Sequence, residues 1–97
     1  MTSLDFAVWV QPNGRAHARL GIVAGKKAAA RAVDRNRAKR LIRETFGVMF
    51  SEVGPLDVVV QLRTDLRKLD NAEVRGELRR LLERVKVATA ARDPATS

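Results

Sequence analysis

Apolar and polar side chains alternate from the start of the chain. Leu4, Phe6, Val8 and Val10 fall in one phase and Asp5, Ala7 and Trp9 in the other, which predicts a strand with one buried face. Pro12-Asn13-Gly14 follows as a turn signal. From Arg15 to Val23 the alternation resumes, with Ala16, Ala18, Leu20 and Ile22 opposite Arg15, His17, Arg19 and Gly21. Two alternating runs joined by a short turn predict a β-hairpin.

Beyond Val23 the period changes. Ala24-Gly25-Lys26-Lys27 breaks the strand, and residues 28–33 read as a loop or a helical turn. Take Leu41 as the zero of a helical wheel, at about 100° per residue. Ala38, Leu41, Ile42, Thr45 and Met49 then share roughly one third of the circumference, flanked by Phe46 and Val48. Asn36, Lys39, Arg40 and Arg43 take the opposite side, with Arg35 and Arg37 at the two borders. The predicted helix ends near Phe50. Its start has two readings: Asp34 as N-cap, or a start nearer Ala30 with Asp34 in the first turns.

Gly54-Pro55 ends that helix. Leu56 to Leu62 is rich in β-branched residues and predicts a strand buried largely on both faces. Asp70 and Glu73 have the spacing of a capping box. The helix after it carries Val74, Leu78, Leu81, Leu82 and Val85 on one stripe, while Arg79, Arg80 and Arg84, interspersed with Glu77 and Glu83, read as a solvated face. Residues 89–97 lack periodicity and read as a frayed, disordered tail, leaving 1–88 as a single domain. The order β-β-α-β-α predicts an α+β two-layer sandwich, with both helices on one face of a small sheet.

Charge adds a function class to this outline. The net charge is +8 with a pI near 11.3, which points to a polyanion partner. Residues 15–43 hold ten Lys/Arg and one acid, whereas the rest holds nine basic and ten acidic residues. A solubilising surface mixes its signs; a block of one sign suits phosphates. No cysteine is present, which excludes a disulfide framework and a thiol nucleophile. His17, the single histidine, sits among arginines on a polar strand face and reads as solvated. Asp and Glu are scattered without metal-ligand spacing, and Gly21 to Lys27 is not a P-loop, since its glycine spacing is wrong and no Ser/Thr follows Lys27. Any catalysis therefore falls to another component. No run is long and apolar enough to span a membrane, and residues 1–5 carry no secretory pattern. The expectation is a cytoplasmic chain with a polyanion partner.

The run Arg35-Asn36-Arg37-Ala38-Lys39-Arg40-Leu41-Ile42-Arg43-Glu44, preceded by Arg19-Leu20-Gly21-Ile22-Val23-Ala24-Gly25-Lys26-Lys27, resembles the RNR signature of the bacterial ribonuclease P protein subunit. The resemblance covers about residues 4 to 88. It implies a ribosomal protein S5 domain 2-like fold with an unusual left-handed βαβ crossover. It also implies a ribonucleoprotein endonuclease that removes the 5′ leader from precursor tRNA, with the chemistry on the RNA subunit through Mg2+. The partners implied are that RNA subunit and precursor tRNA, with no obligate protein partner and no metal site assigned to the chain itself. Carried over, Arg35, Asn36, Arg37, Lys39, Arg40 and Arg43 face the RNA subunit, with Lys26, Lys27 and Arg31 extending the patch. Phe6, Trp9 and Arg19 are candidates for contact with the leader. Trp9 reads equally as strand packing or a base-stacking platform, and Phe6, in phase with Leu4 and Val8, reads rather as core. Two departures stand out. The family's helix before the first strand, which walls the leader cleft, is expected to be lacking, and Ala24-Gly25 stands where the family often has Ser before Lys-Lys. The alternatives are a non-catalytic RNA-binding or ribosome-assembly protein of the same fold, and a DNA-binding protein with its helix in the major groove.

Overall fold

The computed structural model describes residues 1–12, 18–25, 29–50 and 56–92, with side chains to residue 88. Its elements are β1 (Phe6–Pro12), β2 (Arg19–Val23), α1 (Ala32–Phe50), β3 (Leu56–Leu62) and α2 (Asn71–Arg92). The β-β-α-β-α order and the two-layer plan match the expectation. The expected turn at Asn13-Gly14, the start of the second strand, His17, Lys26, Lys27 and Gly54-Pro55 lie outside the described residues.

The predicted hairpin is not formed. The sheet order is β1-β3-β2, so β3 separates the first two strands. β1 pairs antiparallel with β3, and β2 pairs parallel with it. Val58, Val59 and Val60 give β3 an unbroken run of β-branched residues, and such a strand is favoured between two neighbours rather than at an edge. The parallel pairing of β2 with β3 needs a long crossover, and α1 supplies it.

Register assigns the faces. Phe6, Val8 and Val10 lie opposite Leu62, Val60 and Val58, while Leu20 and Ile22 lie opposite Val58 and Val60. Directly opposed residues share a face, so these side chains, except Val10 at its exposed margin, form the floor of the core. Phe6, Val8, Val58, Val60 and Leu62 are buried there beneath Ala38, Leu41 and Ile42 of α1 and Val74, Leu78, Leu81, Leu82 and Val85 of α2. α1 lies against β2, α2 lies against β1, and the two helices touch each other.

The first strand and its approach depart from the expected periodicity at four residues. Leu4, expected inside, is exposed because it precedes the strand, and Val10 is exposed where β1 runs towards its end. Asp5 and Ala7, expected outside, are buried. Residues 1–3 double back along the free edge of β1, with a Thr2–Ala7 bridge, a Val8 N–H to Met1 O bond of 2.8 Å and a Met1 N to Val8 O bond of 2.9 Å. That cover satisfies backbone groups an edge strand otherwise presents to water.

β3 also differs from its expectation of two buried faces. Val58, Val60 and Leu62 are buried, but Asp57, Val59 and Gln61 are only half-buried. Both helices lie on one side, so the other face of the sheet stays open.

For α1 the earlier of the two starts is found. The Arg35 N–H bonds the Arg31 carbonyl at 3.1 Å, which makes Arg31 the cap position and puts Asp34 in the first turn. At α2 the capping residue is the expected one: Asp70 Oδ1 accepts from the Glu73 N–H at 2.8 Å. α2 then continues to Arg92, through the first four residues of the expected tail; residues 93–97 lie outside the described ones.

An unforeseen polar cluster ties residues 3–5 to the far end of the chain. Asp5 N–H donates to Glu77 Oε2 at 2.8 Å, and Ser3 Oγ donates to the same oxygen. Thr64 Oγ1 donates to Asp5 Oδ1, while the Arg63 N–H and side chain donate to the Asp5 and Ser3 carbonyls. Burial, and then hydrogen bonding to Asp5, push the Glu77 carboxyl above its ordinary value. A group raised on folding contributes stability that is full below its unfolded pKa and lost as pH rises through the folded one. Glu77→Gln keeps an acceptor and removes the titration. Its Tm relative to the parent is expected to climb between about pH 4 and about pH 7; a difference that stays constant across a thermal-melt series would refute the assignment.

Candidate nucleic-acid interface

The basic helix sorts its cations by angle. Asn36, Arg40 and Arg43 are exposed and Lys39 is half-buried along the outer side of α1. From Asn36 to Arg43 this row spans about 10 Å at the helical rise. Among the described residues neither Lys39 nor Arg43 has an acidic partner. Arg40 lies 4.0 Å from Glu44, with both side chains about half exposed, so solvent screens the pair and leaves the guanidinium available.

Arg37 is a correction. Its Nε donates to Asn71 Oδ1 at 2.9 Å, Nη1 to the Leu66 carbonyl at 2.9 Å and Nη2 to the Leu69 carbonyl at 2.5 Å. All three guanidinium nitrogens are therefore spent inside the protein, holding α1 to the loop before α2 and to the first residue of that helix. A planar fork with fixed donors suits three convergent acceptors. The border position of Arg37 on the wheel faces α2 rather than solvent, which removes it from the RNA-facing row.

Arg35, at the other border, is partly committed. Its Nη1 donates to the Ala29 and Ala30 carbonyls at 2.9 and 3.0 Å, tying the entry segment to α1. Arg31 is exposed at the helix start, 3.7 Å from Asp34. Between the two framework arginines, Asn36 is exposed, because consecutive helical residues point about 100° apart.

The open face of the sheet is a second surface. Trp9, Val59 and Gly21 lie in one row across the three strands, and Gln11, Asp57 and Arg19 in the next. Trp9 is 53% exposed, whereas Phe6 is fully buried in the core. Phe6 therefore leaves the set of candidate leader contacts, since its phase puts it under the helices. Gly21 adds no side chain to its row; a Cβ there would stand 3.5 Å from Val59 Cγ2. The row is thus low on the β2 side and tall at Trp9. Arg19 lies 3.8 Å from Asp57 on the same face.

Sequence reading missed the framework role of Asn71 and of the Leu66 and Leu69 carbonyls, as well as the cluster around Asp5 and Glu77. No local signal marks either, because the partners are separated by 29 to 34 residues in one case and 72 in the other. No helix is long and apolar enough to cross a membrane among the described residues, and none of them form a group of three or more His, Cys, Asp or Glu placed to hold a metal ion.

The chain matches the family model described as Ribonuclease P over residues 1–86. It is 41% identical over 90 residues to the ribonuclease P protein component of Thioalkalivibrio sulfidiphilus, covering 93% of this chain and 75% of that one. It is 43% identical over 65 residues to the component of Methylococcus capsulatus, covering 67% of this chain and 51% of the relative, so the match spans only about half of that protein. Among solved structures, the RNase P protein of Staphylococcus aureus superposes with a TM-score of 0.80 at 33% identity, covering 90% of this chain and 80% of that one.

Proposed function

Because the chain belongs to the bacterial ribonuclease P protein family, we propose that it docks on the catalytic RNA of that ribonucleoprotein through the outer row of α1 and helps it bind precursor tRNA. The observation that carries this reading is the row Asn36, Lys39, Arg40 and Arg43, exposed or half-exposed and all but free of acidic partners. Guanidinium forks match phosphate oxygens two at a time, and the ammonium of Lys39 adds a point charge. Asn36 is neutral, and offers a donor and an acceptor to a base edge or a 2′-hydroxyl. Arg31 and the free donors of Arg35 extend the row at the helix start.

In this reading the open sheet face takes the 5′ leader. Trp9 offers an aromatic surface for a base, and Arg19 a cation for the adjoining phosphate. The Mg2+ used in cleavage is carried by the RNA, and this chain's part is to bind and orient. The test is reconstitution with a bacterial ribonuclease P RNA at low Mg2+, following 5′ cleavage of precursor tRNA. The expected result is stimulation over RNA alone; no stimulation at any protein concentration rules the reading out.

A further inference from the structure

A second cationic surface lies on α2. In sequence, Arg79, Arg80 and Arg84 are balanced by Glu77 and Glu83, but the fold undoes that balance. Glu77 turns away and accepts from Ser3 and the Asp5 N–H. Glu83 forms no ion pair with any described residue, and neither do Arg79, Arg80 and Arg84. All three arginines are exposed. Arg80 lies back over Gly76, where an added Cβ would meet its Nη1 at 3.4 Å.

These arginines border a groove between the helices. On the α1 side it is lined by Glu44 and Thr45 and, one turn further on, by the apolar pair Val48, 76% exposed, and Met49. Across the whole groove the cations are five, Arg75, Arg79, Arg80, Arg84 and Lys86, and the acids two, Glu44 and Glu83. Lys86 is partly engaged, 5.9 Å over the Phe50 ring. The groove also joins the outer row of α1. Glu44 lies 4.0 Å from Arg40 on one side and 3.0 Å from Arg75 on the other, so it links the two basic surfaces across the helix pair.

We propose that this groove is a second RNA-docking surface, on which Arg79, Arg80 and Arg84 take backbone phosphates while Val48 and Met49 face a base or sugar of the same strand. The proposal rests on the reading that α1 docks RNA, because the two surfaces are continuous through Arg40, Glu44 and Arg75. A cationic border with an apolar floor is the chemistry by which proteins hold single-stranded or loop RNA. An anionic polypeptide would also meet the arginines, but continuity with the α1 row favours the RNA body already seated there.

The test is binding to a bacterial ribonuclease P RNA between about 0.1 and 0.5 M salt at fixed Mg2+, a range over which each phosphate contact on a single strand contributes about 0.7 to the slope of log K against log[salt]. The variant Arg79→Ala/Arg80→Ala/Arg84→Ala is expected to flatten that slope by about two and to weaken binding about 100-fold near 0.1 M. Val48→Glu, which puts a carboxylate on the exposed floor, is expected to weaken binding too, and Val48→Leu to leave it unchanged. Parental slope and affinity for both the triple variant and Val48→Glu, alongside a weakened α1 variant, would overturn the second surface and leave α1 docking intact. Parental binding by the α1 variant as well would overturn both readings.

Discussion

Arg37→Ala is expected to lower unfolding stability by about 2–3 kcal/mol while leaving the salt dependence of RNA binding unchanged. The loss comes from three acceptors that now receive the guanidinium: Asn71 Oδ1 and the carbonyls of Leu66 and Leu69. A hydrogen bond to a charged donor contributes about 1.5–3 kcal/mol, and an acceptor left unpaired in a part-buried site adds a desolvation penalty. The three do not add fully, because water reaches a half-buried side chain. In a domain of this size the expected Tm shift is roughly 10 °C. Arg37→Lys is expected to recover little, since an ammonium is a single point and cannot meet three acceptors in a plane. Urea unfolding measures the first quantity, and titration with RNA at several salt concentrations, well below Tm, the second. Unchanged stability with a flatter slope would return Arg37 to the RNA-facing row.

This residue also shows where sequence reasoning runs short. A helical wheel separates the sides of α1 well: Ala38, Leu41, Ile42 and Thr45 are buried as their angles predict, and Asn36, Arg40 and Arg43 are exposed. At the borders the wheel is silent, because a border position faces whatever neighbour tertiary packing supplies. Arg37 meets α2 and its preceding loop; Arg35 meets the segment that enters its own helix. Both are long enough to reach acceptors that no local pattern reveals.

The strands divide in the same way. β3 was legible to its end residues, because seven positions rich in β-branched side chains between a Gly-Pro signal and a polar stretch have few other uses. Partner choice was not legible. Alternation fixes which side chains share a face but not which strand lies alongside, and a turn signal made β1 and β2 look like neighbours. The parallel β2–β3 pairing is set by α1, whose apolar side must be buried on the sheet. Once the register is known, Phe6 and Trp9 separate without further argument: Phe6 pairs with Leu62 in the core phase, and Trp9 with Val59 in the open one. The Asp70 cap of α2 was legible because a cap is a local interaction, complete within four residues.

The outer row of α1 carries the other large effect. Lys39→Ala/Arg40→Ala/Arg43→Ala is expected to bind a bacterial ribonuclease P RNA about 2–3 log units more weakly near 0.1 M salt, with a slope of log K against log[salt] shallower by about three. The magnitude follows from counterion release: each phosphate contact contributes about 0.9 to the slope, hence about 0.9 log units between 1 M and 0.1 M salt. Near 1 M salt the variant and the parent are therefore expected to converge. Folding is not at stake, because Arg40 and Arg43 are exposed and Lys39 is in no ion pair with a described residue; surface changes of this kind usually alter stability by less than about 0.5 kcal/mol each. Asn36→Ala is the contrasting case. Its side chain is neutral, so it is expected to weaken binding by a constant factor at every salt concentration and leave the slope as it is. If the triple variant instead keeps its deficit at high salt, the three cations do not meet phosphates, and the contact is one of shape or hydrogen bonding. If Asn36→Ala flattens the slope, removing the side chain has displaced the neighbouring cations, and its role is to orient Arg40 and Arg43 rather than to read the RNA.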